Sequence, residues 1–201
     1  MQARLDPRAP FVLDVRELGR RPGTMKQLTR SVPAPAGLGL DVIGAPEGSE
    51  VDLDIRLESV SDGVLVTAVV RATVVGECSR CLDPIERDLW VDVQELYVYD
   101  PAEAREAGEE DVPALDGDLL DAGPAVRDAV VLALPVAPLC RVDCPGLCPE
   151  CGVHLADDPD HRHDTTDHRW SALQALVGET PPARIESDDP AGDVDPDQEV
   201  S

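Results

Sequence analysis

Residues 51–75 read VDLDIRLESVSDGVLVTAVVRATVV, and this pattern decides the fold. Val51, Leu53, Ile55 and Leu57 alternate with Asp52, Asp54, Arg56 and Glu58. A period of two with one wet face marks a half-buried strand. Ser61-Asp62-Gly63 then supplies turn chemistry. Beyond it Val64, Val66, Ala68, Val70, Ala72 and Val74 are apolar, whereas the odd positions include Thr67, Arg71 and Thr73. The even side of this second strand is expected to face the core. A third strand is expected from about Leu89 to Tyr99, with Val91 and Val93 set against Asp92 and Gln94. Its alternation slips at Glu95-Leu96, which predicts a bulge or a bend. The result is an antiparallel, strongly twisted or barrel-like sheet, and about four to six strands suit an open or a closed form equally.

Cys78-Ser-Arg-Cys81 falls between the second and third strands, so a metal knuckle can serve as the hairpin tip. Downstream, Asp121-Ala-Gly-Pro124 reads as a helix start, with a capping carboxylate and a proline in the first turn. Ala125 to Leu134 is apolar on most sides, which predicts a buried helix, and Pro135 ends it. The fold class is therefore α+β. A zinc-knuckle C-terminal segment follows, and a second helix is expected over Asp167–Val177, with Trp170, Leu173, Leu176 and Val177 on one face.

The expected organisation has four parts. Residues 1–39 form a basic arm with a short strand at Phe11-Val-Leu13 and a helical turn near Glu17–Arg21. Residues 40–139 carry the sheet and helix, interrupted by an acidic loop at 100–121. Residues 140–178 are the Cys/His segment with the C-terminal helix, and 179–201 are a disordered acidic tail.

The chain has 201 residues, enough for one domain with a core. Only 2% of them are aromatic, so that core must be built from Val, Leu, Ile and Ala. A formal net charge of −24 repels bare phosphate at long range and attracts basic proteins. The first twenty residues hold no apolar run of signal-peptide length, and Ala129–Leu134 is too short to span a membrane. A cytoplasmic protein is the expectation. In a reducing compartment clustered cysteines are metal ligands more often than disulfides.

Against this acidity the first thirty residues place Arg4, Arg8, Arg16, Arg20, Arg21, Lys26 and Arg30 opposite only Asp6, Asp14 and Glu17. Arg16, Arg20, Arg21, Lys26 and Arg30 are the candidate contacts to nucleic acid or to an acidic partner. The plainer reading is a solvated edge. From Asp100 to Asp121 only Arg105 opposes nine carboxylates, which reads as a solubilising loop or as a docking strip for a basic protein.

The second cysteine cluster is Cys140-x-x-x-Cys144-x-x-x-Cys148-x-x-Cys151, followed by His161-x-His163. Two residues between two thiolates let a tight turn wrap one tetrahedral zinc. These eight candidate ligands admit two arrangements. In one, Cys78 and Cys81 join Cys140 and Cys144, and Cys148 and Cys151 join His161 and His163. In the other, the two Cys-x-x-Cys turns form a single ribbon and leave Cys140 and Cys144 spare. His161-x-His163 cannot sit on one helical face and requires extended or turn backbone. His154 and His168 are weaker candidates. A shell of four protein ligands makes a structural site, since catalytic zinc keeps a position for water.

Several stretches resemble the YceD family of large ribosomal RNA subunit accumulation proteins. They are Gly76-Glu-Cys78-Ser-Arg-Cys81-Leu, Asp118-Leu-Leu-Asp121, Leu132-Ala-Leu-Pro135-Val-Ala-Pro138-Leu-Cys140, Asp143-Cys144-Pro-Gly-Leu-Cys148-Pro-Glu-Cys151-Gly and Asp167-His-Arg169-Trp170-Ser-Ala-Leu173. The resemblance implies a cytosolic, non-catalytic factor whose loss lowers large-subunit ribosomal RNA. Many relatives have Cys-x-Cys where this chain has His161-x-His163, and others keep the first cysteine pair but lack the Cys-Pro-x-Cys-Gly turn. Both patterns favour the arrangement with two sites.

The leading expectation is thus a zinc-stabilised factor in large-subunit biogenesis, bound to precursor ribosomal RNA or to a basic ribosomal protein, with no membrane and no small-molecule substrate. The alternatives are an enzyme, metal-dependent or dithiol, and a general acidic adaptor for basic proteins. An enzyme would need an open metal position with a base, for which only Glu77 and Glu150 stand beside ligands, or a low-pKa cysteine at a helix start.

Overall fold

A computed structural model describes residues 4–102 and 112–163. In chain order the elements are β1 (Val12–Asp14), a 3-10 turn (Arg16–Leu18), β2 (Met25–Pro33), β3 (Leu38–Leu40), β4 (Ile43–Ala45), β5 (Glu50–Ser59), β6 (Gly63–Glu77), β7 (Pro84–Val98), β8 (Leu119–Asp121) and helix α1 (Gly123–Ala133). The chain divides into two compact units, Met1–Pro159 and Asp160–Ser201, and the first carries all of these elements.

β5 and β6 form the expected hairpin, in register from Val51↔Ala72 to Ser59↔Val64. Val51, Leu53, Ile55 and Leu57 are buried, as are Val64, Val66, Ala68, Val70, Ala72 and Val74. β6 is the hub of an antiparallel sheet. One edge pairs with β7 along its whole length, Gly63↔Val98 to Glu77↔Pro84. The other edge therefore takes β5 and, near its end, β4. β2 lies outside β5, and β3 outside β4. The sheet is open and does not close into a barrel.

β7 corrects two expectations. It begins at Pro84 rather than Leu89, and its ladder has no bulge at Glu95-Leu96. Glu95 keeps the inward parity and Leu96 the outward parity; both are half-buried. A charged group at the inward position is tolerated there because it lies near the strand end, where water still reaches it. β2 was not foreseen at all. Lys26, Leu28, Arg30 and Val32 share its inward parity, opposite Leu57, Ile55, Leu53 and Val51. Lys26 and Arg30 of the basic stretch thus lie on an edge strand.

A second, two-stranded sheet pairs β1 with β8, so Leu119–Asp121 is a strand and not part of a loop. β8 leads directly into α1. The Asp121 carboxylate accepts the Gly123 N–H at 2.9 Å and Pro124 occupies the first turn, as expected for the helix start. Leu134 is extended ahead of Pro135, which ends the helix. α1 buries one stripe, Val126 and Val130, against β3 and β7. Leu132 is 85% exposed, so the helix is buried on one face only. The expected helix over 167–177, the acidic stretch 103–111 and the tail lie outside the described residues.

Gly76 sets how the knuckle end of β6 is built. A Cβ there would lie 2.4 Å from the Val42 carbonyl oxygen and 2.8 Å from the Ile43 Cβ. Only glycine allows β4 to close on β6 beside the first cysteine pair.

Candidate metal centres

The first centre is made where the β6–β7 hairpin tip meets the segment after α1. Cys78-Ser-Arg-Cys81 turns with the Cys78 N–H donating to the Asp83 carbonyl and the Leu82 N–H to the Cys78 carbonyl, at 2.8 and 2.9 Å. The segment after α1 is laid on this tip by backbone bonds, Ser79 N–H to the Pro138 carbonyl and Leu147 N–H to the Arg80 carbonyl. Arg80 Nη1 also donates to the Cys144 carbonyl at 2.9 Å, and Arg87 to the carbonyls of Leu139 and Cys140.

These contacts bring four sulfurs together. Cys78 Sγ lies 3.8 Å from Cys144 Sγ, and Cys81 Sγ lies 3.6 Å from Cys140 Sγ. All four ligand atoms fall within 4.8 Å of one another. A zinc–sulfur bond of about 2.3 Å in a tetrahedron places sulfurs roughly 3.8 Å apart, whereas a disulfide needs about 2.05 Å. The spacing fits one tetrahedral ion. Cys78, Cys81 and Cys144 are buried and Cys140 half-buried. The single-ribbon arrangement is therefore not the one formed: Cys78 and Cys81 gather with Cys140 and Cys144, not with Cys148 and Cys151.

The thiols are electrostatically unequal. Burial raises the Cys78 thiol, but N–H groups of Cys140, Arg80 and Cys81 aimed at its sulfur outweigh that and hold it at about 6. Burial pushes Cys81 and Cys140 up. Cys81 Sγ in turn donates to Asp83 Oδ2 at 3.1 Å. Backbone donors converging on sulfur are what a metal-bound thiolate needs. The Arg80 and Arg87 guanidiniums would offset the excess negative charge of four thiolates around a divalent ion.

The other ligand candidates are two pairs. Cys148 and Cys151 lie in the first unit, in a second knuckle that repeats the first. The Cys148 N–H donates to the Val153 carbonyl and the Gly152 N–H to the Cys148 carbonyl, at 2.8 and 2.9 Å. The residue after the second cysteine is left-handed in both, Leu82 at φ 63° and Gly152 at φ 72°. The two Cys-x-x-Cys turns read from the sequence thus share one backbone form, although Leu stands at the first where glycine is usual. In the second unit His161 and His163 face each other with Nε2 atoms 2.7 Å apart and rings edge-on. Each pair is half of the donor set that a second ion would need. His154 is placed against Asp83, 3.8 Å away, and His168 lies outside the described residues.

The cationic candidates are mostly engaged within the fold. Arg16 pairs with Asp14, and Lys26 Nζ lies 2.9 Å from Glu17. Arg30 Nη1 donates to the Val12 carbonyl at 2.9 Å. Arg20 stacks on the Tyr99 ring at 4.8 Å. Arg21 is exposed. Lys26 and Arg30 anchor the N-terminal segment to β2, Arg16 is held locally by Asp14, and the three do not form a continuous basic face.

An open antiparallel sheet whose hairpin tip carries a four-cysteine cluster defines a small α+β protein with the makings of a structural metal site. The family profile described as "Large ribosomal RNA subunit accumulation protein YceD" matches residues 66–177, more than half of the chain, and the chain belongs to that family. It is 47% identical over 171 residues to an uncharacterized protein of Mycobacterium tuberculosis, covering 85% of this chain and 83% of that one. Identity to an uncharacterized protein of Mycobacterium leprae is 40% over 182 residues, 90% of this chain and 83% of the relative. A more distant relative is the chloroplastic "Large ribosomal RNA subunit accumulation protein YCED homolog 1" of Zea mays, 23% identical over 148 residues, 60% of this chain and 50% of that one. No solved structure matches the chain. Among the described residues no helix is long and apolar enough to cross a membrane.

Proposed function

We propose that this chain is a non-catalytic, zinc-stabilised factor that supports accumulation of large-subunit ribosomal RNA in the cytoplasm, acting through a basic ribosomal protein. The observation that carries this reading is the four-sulfur cluster in a chain of this family. Four thiolates fill a tetrahedral shell and leave no position for substrate or activated water, which is the chemistry of a structural ion. Zinc bound there would clip the segment after α1 to the β6–β7 tip. By their spacing in the sequence, Cys148, Cys151, His161 and His163 are proposed as the ligands of a second ion. The family and the maize relative's name support the ribosomal role. The net charge of −24, with Arg16, Lys26 and Arg30 already engaged, favours a basic protein over direct contact with RNA phosphates.

The test has two arms. Purified protein should hold about two zinc ions, falling to about one in the His161→Ala/His163→Ala variant. Cells lacking the chain should show a lowered ratio of large- to small-subunit ribosomal RNA, restored by the wild type and not by a Cys78→Ser/Cys144→Ser variant. A metal-free protein that restores the ratio would overturn the zinc-dependent reading. An unchanged ratio in cells lacking the chain would overturn the ribosomal one.

A further inference from the structure

The main sheet covers only one of its faces with α1, and the other carries a charge pattern of its own. On this outward face β5 presents Glu50, Asp52 and Asp54, and β7 presents Glu86, Asp88 and Asp92. Two arginines lie among them, and both are engaged: Arg56 pairs with Glu58, and Arg71 pairs with Asp54. Among the described residues Asp52, Glu86, Asp88 and Asp92 make no ion pair. On the edge strand β7, between Asp88 and Asp92, stands Trp90, 69% exposed although the chain has so few aromatics. The register puts Asp52, Arg71 and Trp90 in one row across three strands, and Asp88 and Asp92 flank Trp90 along β7. A shallow groove of about 270 Å³ runs between Glu50 and Asp52 on one wall and Asp88 and Trp90 on the other.

We propose that this face docks an arginine-rich segment of a partner protein, with Trp90 as its anchor; the inference rests on the reading in which the chain works through a basic protein. The Trp90 ring already takes one guanidinium, that of Arg71, at 5.1 Å from its centroid. A partner arginine would find the exposed remainder of this ring and two rows of carboxylates, on β5 and β7 at either side of β6. Guanidinium suits this site better than ammonium because it stacks and forks onto a carboxylate at the same time. An exposed aromatic ringed by polar groups is the usual composition of an interface hot spot. The same carboxylates repel phosphate, so RNA is not the occupant.

The full-length, zinc-loaded chain is titrated against a fluorescein-labelled arginine–glycine repeat peptide, read by anisotropy. Asp52→Asn/Asp88→Asn/Asp92→Asn should weaken binding about tenfold or more, and Trp90→Ala about fivefold. Asp41→Asn/Glu47→Gln/Asp128→Asn removes as much charge from exposed positions elsewhere and should change binding less than about twofold. Equal losses in the two triple variants would reduce the effect to net charge and overturn the site. So would tighter binding of a poly-uridine RNA than of the peptide at the same salt. In cells, a face variant that restores ribosomal RNA as the wild type does would overturn this inference and leave the ribosomal reading standing. A wild type that restores nothing would sink the ribosomal reading, and the peptide titration alone would then judge the face.

Discussion

Removing the metal should melt one segment and spare the sheet. Pro138 to Leu147 is held to the hairpin tip by five hydrogen bonds: Ser79 to Pro138, Leu147 to Arg80, Arg80 to Cys144, and Arg87 to Leu139 and Cys140. At about 1 kcal/mol net apiece these contribute roughly 5 kcal/mol. Burial of Pro138 and partial burial of Leu139 and Leu147 add roughly another 5 kcal/mol. Ordering the backbone of these residues costs about 15 kcal/mol. The segment alone is thus short by roughly 5 kcal/mol, and a structural zinc worth about 10 kcal/mol reverses the sign. The assay is hydrogen exchange read by mass spectrometry, before and after stripping by a chelator with zinc content measured in parallel. Amides of Ser79, Cys144 and Leu147 should lose protection, while those of β5 and β6 keep it. Retained protection at Ser79 and Leu147 in verified metal-free protein would refute the reasoning, because the hydrogen bonds and burial would then suffice.

Four further outcomes are expected. Gly76→Ala should destabilise the fold by about 1–3 kcal/mol in urea unfolding, since its methyl would collide with the backbone of β4. Leu82→Gly should be neutral or stabilise by up to about 1 kcal/mol, and Gly152→Ala, with open space around it, should cost about 1 kcal/mol, because both positions are left-handed; melting temperatures of zinc-loaded protein decide. Tyr97→Phe should cost about 1–2 kcal/mol in the same melts: the buried hydroxyl donates to the Asp121 carbonyl at 2.9 Å, and burial, with Glu95 and Asp121 nearby, keeps it protonated. Hydrogen bonds from Arg16 hold the Asp14 carboxyl at about 2, below its ordinary 3.8. Its stabilising share is therefore complete above about pH 4 and lost as the pH falls through 2; with both partners partly exposed, Asp14→Asn should cost less than about 1 kcal/mol at pH 7, and a larger loss in a pH-resolved urea series would contradict this.

The strands that were legible are those whose inward positions are uniformly apolar. β5 and the even side of β6 announce themselves in that way. β2 did not, because Lys26 and Arg30 take inward positions at the sheet edge. There they lie their aliphatic stems over the core and carry their heads to Glu17 and to the Val12 carbonyl. The start of β7 was hidden by Glu86-Arg87-Asp88, whose inward member Arg87 reaches out to the carbonyls of Leu139 and Cys140. β1 and β8 are three residues each, too short for any period to show. The site divides similarly. Cysteine spacing is local and readable, so the eight candidate ligands could be named. Which cysteines share an ion depends on where α1 delivers Cys140 and Cys144, and that is a property of the fold.

The same geometry explains why a chain so poor in aromatics would use a metal at all. Its inward face is closed by aliphatic side chains of modest volume, together with α1 and the β1–β8 pair. Beyond Pro138, Leu139, Leu147 and its sulfurs the stretch after α1 has little to bury: Arg141, Val142 and Asp143 are exposed. A hydrophobic clasp at the hairpin tip would require bulky residues between Glu77 and Asp83, where the turn leaves room for Ser79 and Arg80 only as solvent-facing groups. Four thiolates with a bound ion would close that end in the volume of a few side chains and would not draw on the opposite face of the sheet. That face can then keep carboxylates and an exposed tryptophan that a core would exclude, so in this proposal folding and recognition would draw on different residues of the same three strands.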